Sequence, residues 1–207
     1  MFPLGTVLVP TAVLPLHVFE PRYRALMLDL TGGGDGPPLL DPEFGVTLIE
    51  RGSEVGGGDA RAEVGTVARL LDAEQLPDGR WVLAAVGTTR FRVVEWLPDD
   101  PYPVALVDDV AEPPWHDADT PRLRDAEGAL RRALGLAAEL DDDDAERTFT
   151  LAADPTVAAW QCAALAPIGP YDRQQLLAAP DVATRLDMLV ERTDEVAEVL
   201  ALRLSGG

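Results

Sequence analysis

The side chains that could act as nucleophiles, proton carriers or metal ligands are few enough to take one at a time. The 207 residues contain one cysteine, two histidines and no lysine, so all 17 basic residues are arginine. Cys162 lies in the small-residue stretch 158–166, where an isolated thiol packs as a small apolar group and stays protonated. Nothing in the spacing joins it to His17 or His116 as a thiolate–imidazole pair. Ser53, in Glu50-Arg51-Gly52-Ser53-Glu54-Val55-Gly56, lacks the nucleophile-elbow pattern, and Ser205 lies in the closing residues. Without lysine, neither a phosphate-loop lysine nor a Ser-Lys dyad can be assembled from these residues. One cysteine and two histidines without paired-cysteine spacing do not suggest zinc. The glycine clusters 32–34 and 56–58 lead into no Lys-Ser/Thr pair, and the four adjacent acids Asp141 to Asp144 lack calcium-loop spacing. No catalytic residue, cofactor or metal is expected, which leaves binding as the function to look for.

The elements that would position a binding surface begin at the first residue. Met1 to Phe19 carries no side-chain charge with His17 neutral, and Val7-Leu8-Val9 and Val13-Leu14 with Leu16 form two short apolar runs that predict buried strands near 5–9 and 13–18. Pro10 and Pro15 confine those strands to ends or edges. The period then changes: Pro21 suits a first helical position, Tyr23, Leu26, Met27 and Leu30 recur at helical spacing, and Gly32 follows, predicting a helix over 21–31. Nineteen uncharged residues approach the ~20 that span a bilayer. Three prolines and Gly5 interrupt the run and no basic segment precedes it, so a cytoplasmic protein is expected.

Further strands are expected near 44–50, 62–75, 80–86, 89–96 and 103–109. A break at 111–120, with Pro113 and Pro114, separates these from an all-helical remainder. Thr120-Pro121 and Asp154-Pro155 start helices to about 140 and 165. Asp172 and Gln175 form a capping-box-like pair for a short helix ending before Pro180. The last helix repeats Val182, Leu186, Leu189, Val196, Leu200 and Leu204, a stripe that suits packing onto the rest of the chain or a dimer seam. The fold class is therefore α+β, with domain bounds at 1–112 and 113–207 and one continuous core expected across both lobes.

Phe2-Pro3-Leu4-Gly5-Thr6-Val7-Leu8-Val9-Pro10 followed by Leu14-Pro15-Leu16-His17-Val18-Phe19-Glu20-Pro21-Arg22-Tyr23 resembles the opening of the N-terminal, substrate-binding domain of Lon proteases. Phe44 to Ile49, Val64-Gly65-Thr66-Val67-Ala68-Arg69, Leu76 to Trp81, Val86-Gly87-Thr88-Thr89-Arg90-Phe91-Arg92-Val93 and Tyr171 to Leu177 resemble later segments of that family in the same order. One departure is that family members usually carry a few more residues before Phe-Pro-Leu-Gly, so a short first strand is expected. The resemblance implies a PUA-like β-barrel followed by a helical bundle, without the ATPase and protease modules that follow it in a full Lon protease. It also implies a module that engages unfolded or damaged polypeptide.

Charge limits the partners. With 36 acidic against 17 basic residues the net charge is −19, and residues 1–110 alone hold 17 acids and 8 arginines. Phosphate neutralisation needs clustered cations, so nucleic acid is excluded as a partner. Expected partners are polypeptide segments or a separate protease or AAA+ machine; an adaptor role and a small-molecule-binding barrel are the alternatives. The chain is expected to be a monomer or a weak homodimer, with no membrane partner. Tyr23, Trp81, Trp96 and Tyr102 are the aromatic candidates for polypeptide contact, core packing being the ordinary use of such rings. Arg90 and Arg92 share one face of a strand, and one of them is expected to pair with Glu20, tying the first helix to the barrel.

Overall fold

In the computed structural model, residues 1–33, 40–51, 60–140 and 149–206 are described. Ser53, the glycine cluster 56–58, Gly34 and the acidic run Asp141 to Asp144 lie outside them. The chain forms two compact units, Met1–Glu112 and Pro113–Gly207.

Among the described residues, the first unit is one seven-stranded mixed sheet with one helix. Its strands are β1 (Phe2–Leu4), β2 (Val13–Val18), β3 (Glu43–Arg51), β4 (Ala60–Arg61), β5 (Val64–Gln75), β6 (Trp81–Leu97) and β7 (Val104–Val110), and its helix is α1 (Pro21–Thr31). The order is β1-β3-β5-β6-β2, with β4 added to β3 and β7 to β6. The β1–β3 pair is parallel and the other pairs antiparallel. The sheet curls until its two end strands share one core: Phe2 and Leu4 of β1 and Leu14 and Val18 of β2 pack in the same cluster as Leu83 and Ala85 of β6. Helix α1 contributes the predicted Tyr23, Leu26, Met27 and Leu30 to that cluster. Each such buried side chain stabilises by roughly 1.5–3 kcal/mol. Gly32 ends α1 in the left-handed region (φ 73°), where a residue without Cβ is unstrained.

Two strand expectations are corrected. The first strand lies at Phe2–Leu4, not at 5–9; residues 7–10 run irregularly through the interior. Val7, Leu8 and Val9 are buried in succession, which alternating strand side chains on a one-sided sheet cannot achieve. Buried irregular backbone needs other hydrogen-bond partners. The Thr66 hydroxyl donates to the Leu8 carbonyl at 2.6 Å, the Thr11 N–H donates to the Gly87 carbonyl at 2.8 Å, and the Gly87 N–H donates to the Ala12 carbonyl at 2.9 Å. The second correction is that 80–86 and 89–96 are one strand. Gly87 resembles a turn residue in sequence, yet it is the point where the neighbour along one edge of β6 changes from β2, paired at 81–86, to β7, paired at 90–97.

The second unit is helical: a short 3-10 turn at Asp117–Asp119, then α2 (Thr120–Leu140), α3 (Pro155–Leu165), α4 (Pro170–Ala178) and α5 (Val182–Ser205). Asp154 caps α3 by accepting from the Thr156 and Val157 N–H groups, and Asp181 caps α5 by accepting from Thr184 N–H. Helix α4 begins a turn earlier than the Asp172–Gln175 pair suggests, because Pro170 occupies its first turn, so Asp172 sits inside the helix. The α5 stripe turns inward over its first half: Val182, Leu186, Leu189, Thr193 and Ala197 are buried. Ion pairs Arg122–Asp187 (3.0 Å) and Arg132–Asp194 (2.6 Å) flank the α2–α5 contact. Arg185, on the same buried face, lays its guanidinium 3.6 Å from the ring centroid of Trp160.

Candidate polypeptide-binding surface

The family-like opening residues build a cleft at the seam of the curled sheet. Among the described residues, β1 pairs only with β3 and β2 only with β6, so the two end strands meet without a shared ladder. Between them and the first turn of α1 lies a cavity of about 90 Å³, lined by Phe2, Pro3, Leu16, Val18, Phe19 and Tyr23 among others. That volume admits one aliphatic side chain or a few waters, each water taking about 30 Å³ of liquid. The cleft's interior side is set by the Phe2 ring stacked on Tyr23 (centroids 4.0 Å apart, planes at 10°). Pro3 and Pro15 each occupy an end strand, where a missing N–H forfeits no interior ladder bond. Pro21 opens α1, so the chain turns from β2 into the helix directly across the cleft mouth.

At that mouth Phe19 is 59% exposed. A large ring held outward between a strand and a helix start loses hydrophobic stabilisation, and an exposed apolar group at the rim of a concavity is a candidate contact. Beside Phe19, the Glu20 carboxylate accepts from Arg22 Nε at 3.1 Å, and the Arg22 guanidinium lies 4.6 Å from the Tyr23 ring centroid. This corrects the expected tie from Glu20 to Arg90 or Arg92. Arg90 is 2% exposed; its Nη2 donates to the Ala111 carbonyl at 3.3 Å and its Nε lies 3.6 Å from the Glu112 carboxylate. Burial lowers the Arg90 pKa and Glu112 opposes that shift. Arg92 points outward to Glu63. The two arginines do share a strand face, but their task is to hold the end of β7 and the residue before β5, which lie nearer than α1 in the ladder.

The four aromatic candidates separate. Tyr23 and Trp81 are 3% and 7% exposed, so both rings are packed into the core; Tyr23 reaches the cleft only as part of its inner lining, and Trp81 does not line it. Trp96 is half-buried beneath the Arg61 guanidinium, 4.3 Å from its centroid. Tyr102 donates to the Asp29 carboxylate at 2.7 Å; burial and then that carboxylate push its pKa up to about 12, so it remains a neutral donor. Phe19 is the exposed group at the cleft that a search for Tyr and Trp misses. Alternation along β2 places Leu14, Leu16 and Val18 inward. Phe19 lies past the strand end, where alternation stops. Of the other family-like residues, Gly65 lies opposite Phe91 in the ladder, and a Cβ there would collide with the Phe91 ring and the Val46 carbonyl oxygen. Gly5 is exposed at the bend after β1.

Of the described groups with nucleophilic potential, His17 alone borders the cleft. His17 is exposed along the cleft lining. His116 precedes the 3-10 turn, its N–H donating to Asp119 at 3.1 Å. Cys162 is fully buried in α3, and burial first, then Glu127, raise its thiol pKa to about 11. We expect the native chain at pH 8 to resist iodoacetamide, with alkylation at least ~100-fold slower than in denaturant, as for a thiol that is both protonated and enclosed. Rapid native alkylation followed by mass spectrometry would contradict that placement. Among the described residues, no group of three or more His, Cys, Asp or Glu comes together to hold a metal, and no helix is long and apolar enough to cross a membrane.

The site built by the opening residues is thus an apolar seam with an exposed ring and one ion pair at its rim. The model of the ATP-dependent protease La (LON) substrate-binding domain family matches residues 1–195, and the chain belongs to that family. It is 27% identical over 203 residues to Lon protease 2 of Herpetosiphon aurantiacus, covering 96% of this chain and 24% of that protein. It is 28% identical over 149 residues to the Lon protease of Flavobacterium johnsoniae, covering 71% of this chain and 17% of that protein. The chain thus spans about a quarter or less of the length of these curated relatives. A crystal structure of a Lon N-terminal domain protein from Xanthomonas campestris superposes with TM-score 0.59 at 29% identity, covering 92% of this chain and 95% of that one. The N-terminal domain of the Mycobacterium avium complex Lon protease has the same fold, with TM-score 0.63 at 18% identity over 93% and 97% of the two chains.

Proposed function

We propose that the chain is a non-catalytic polypeptide-binding module that captures apolar, unfolded segments at the β1–β2 seam. The observation that carries this is Phe19, exposed at the mouth of an apolar cleft whose walls are the family-like opening residues. A segment seated there places one aliphatic side chain in the cavity and stacks a second against Phe19, while its backbone runs past the open strand edges. Binding is shallow and so weak, with fast release, which suits a module that must sample many unfolded chains. The family's name and the relatives' description as Lon proteases support the further reading that captured segments pass to ATP-dependent proteolysis, carried out by another part of the machinery. The module itself supplies no covalent step.

The test is a titration of the chain into a labelled, permanently unfolded polypeptide, followed by anisotropy. Saturable binding in the micromolar range is expected, with Phe19→Ser weakening it about tenfold, the loss typical of one exposed aromatic anchor. Absence of binding up to ~1 mM, or a Phe19→Ser variant that binds as the parent does, would sink the reading.

A further inference from the structure

We propose that the outer edge of β7 is a second docking surface, which takes an extended segment with two consecutive basic residues beside an apolar run as an added strand. It shares with the reading above only the class of ligand, not the site. Strand β7, Val104-Ala105-Leu106-Val107-Asp108-Asp109-Val110, pairs among the described residues with β6 alone. The last β5 partner of β6 is Arg92, and Val93 N–H still donates to the Glu63 carbonyl at 2.7 Å; beyond Val93, residues 94–97 and 104–106 form a two-stranded ribbon. Apolar side chains are exposed on both faces of it and at its junction with the sheet, Val94 at 60%, Leu106 at 51% and Val107 at 42%, while Trp96 is covered by Arg61.

An edge strand presents a row of unpaired N–H and C=O groups, and proteins ordinarily blunt such edges with charged side chains, proline, a bulge or brevity. This one is seven residues long, contains no Pro or basic residue, and its single ladder irregularity lies at the Val93/Glu95 step of β6. Its one such device is negative charge, which repels acidic chains and admits a basic one. The Asp108 and Asp109 carboxylates are exposed and take no ion pair or hydrogen bond among the described residues, although Asp108 lies opposite Arg92 in the ladder; Arg92 turns to Glu63.

Successive side chains point to opposite faces, so each face of β7 reads apolar first and acidic second: Leu106 then Asp108 on one, Val107 then Asp109 on the other. An added antiparallel strand matches both faces at once if it begins with two basic residues and continues apolar. A second copy of the chain is the poorer occupant. Two β7 edges related by a two-fold axis at Val107 bring the Asp108 side chains into diagonal positions about 7–8 Å apart, between bodies that each carry −19. That same charge speeds the approach of a cationic segment.

The probe is the synthetic peptide acetyl-Arg-Arg-Val-Ile-Val-Thr-amide with the full chain. We expect binding that weakens with salt, slowed amide exchange in 104–110, and about a tenfold loss in Asp108→Asn/Asp109→Asn, whose side chains support nothing else in the fold. Two peptides N-methylated at alternate amides are expected to differ, the one with its edge-facing amides blocked losing at least about tenfold, as strand addition requires. Phe19→Ser is expected to leave this peptide's affinity unchanged. Failure to bind at ~1 mM, equal binding by the double variant, or equal binding by both methylated peptides overturns the proposal. Loss confined to Phe19→Ser would place the peptide in the cleft, overturning the β7 site while leaving the polypeptide-binding reading intact. Protection of 104–110 on concentrating the chain alone would assign the edge to self-association and overturn it in the same way.

Discussion

Gly87→Ala destabilises the sheet unit by about 3 kcal/mol or more, at the upper end of what an overpacking substitution does. A Cβ at this position would collide with the Val9 carbonyl oxygen and approach the Val9 carbonyl carbon to 3.1 Å and Leu8 Cγ to 3.2 Å. Neither obstacle is the free end of a flexible side chain. Val9 is 1% exposed, its stretch of backbone is held through Leu8 to Thr66, and the adjacent Thr11 and Ala12 are hydrogen-bonded to Gly87 itself. Relief therefore requires moving the buried 7–12 passage as a body, which exposes Leu8 and Val9 and breaks two backbone hydrogen bonds. The control has the opposite sign. Gly135 lies inside α2 with nothing within 4 Å of a Cβ, so Gly135→Ala adds roughly 0.5–1 kcal/mol through helix propensity. Urea unfolding of both variants, followed by tryptophan fluorescence and circular dichroism, separates the outcomes; a Gly87→Ala midpoint equal to that of the parent would show that the close approach is not real.

Arg185→Ala is expected to destabilise the helical unit by about 3–5 kcal/mol, as for the loss of a large core side chain. Arg185 is completely buried, and its guanidinium covers the face of Trp160, itself 2% exposed. Truncation leaves a cavity beside an aromatic ring and removes a charge that Asp181, the α5 cap, uses: Arg185 is one of the causes that lower the Asp181 pKa, after the hydrogen bonds from Thr184. Arg185→Met divides the effect. Methionine refills most of the volume without the cation, so its deficit of about 1–2 kcal/mol reads what the guanidinium contributes beyond packing, its stacking on Trp160 included. Equal losses for Ala and Met would mean that charge rather than packing fixes this residue; no loss for either would contradict its placement.

These two positions also mark the limit of what local sequence pattern can reveal. Helix α1 is legible because Pro21, a 3-4 apolar repeat and Gly32 agree at every level, and the Asp154 cap follows the same local logic. Gly87 reads as a break between strands because its role depends on a passage far earlier in the chain that comes within contact distance of it. The run Val7-Leu8-Val9 reads as a strand because burial on all sides produces the same continuous apolar signal. Arg185 belongs by type on the surface, and no local pattern distinguishes an arginine whose tryptophan partner, Trp160, lies more than two helices' turns away in sequence from one that is solvated. In the cleft, Pro3, Pro15, Pro21 and Tyr23 are legible as a unit, whereas the aromatic ring that reaches solvent, Phe19, is not. Exposure of an apolar residue is a property of the assembled seam.

Capture of unfolded chains at the β1–β2 seam is checked in place by hydrogen exchange on the full chain, with and without ~100 μM permanently unfolded polypeptide. Slowed exchange is expected at Phe2–Leu4 and across 16–23, lost in Phe19→Ser, with the helical unit unchanged. Protection confined to α2–α5, or none anywhere under conditions where the polypeptide is bound, would contradict capture at the seam.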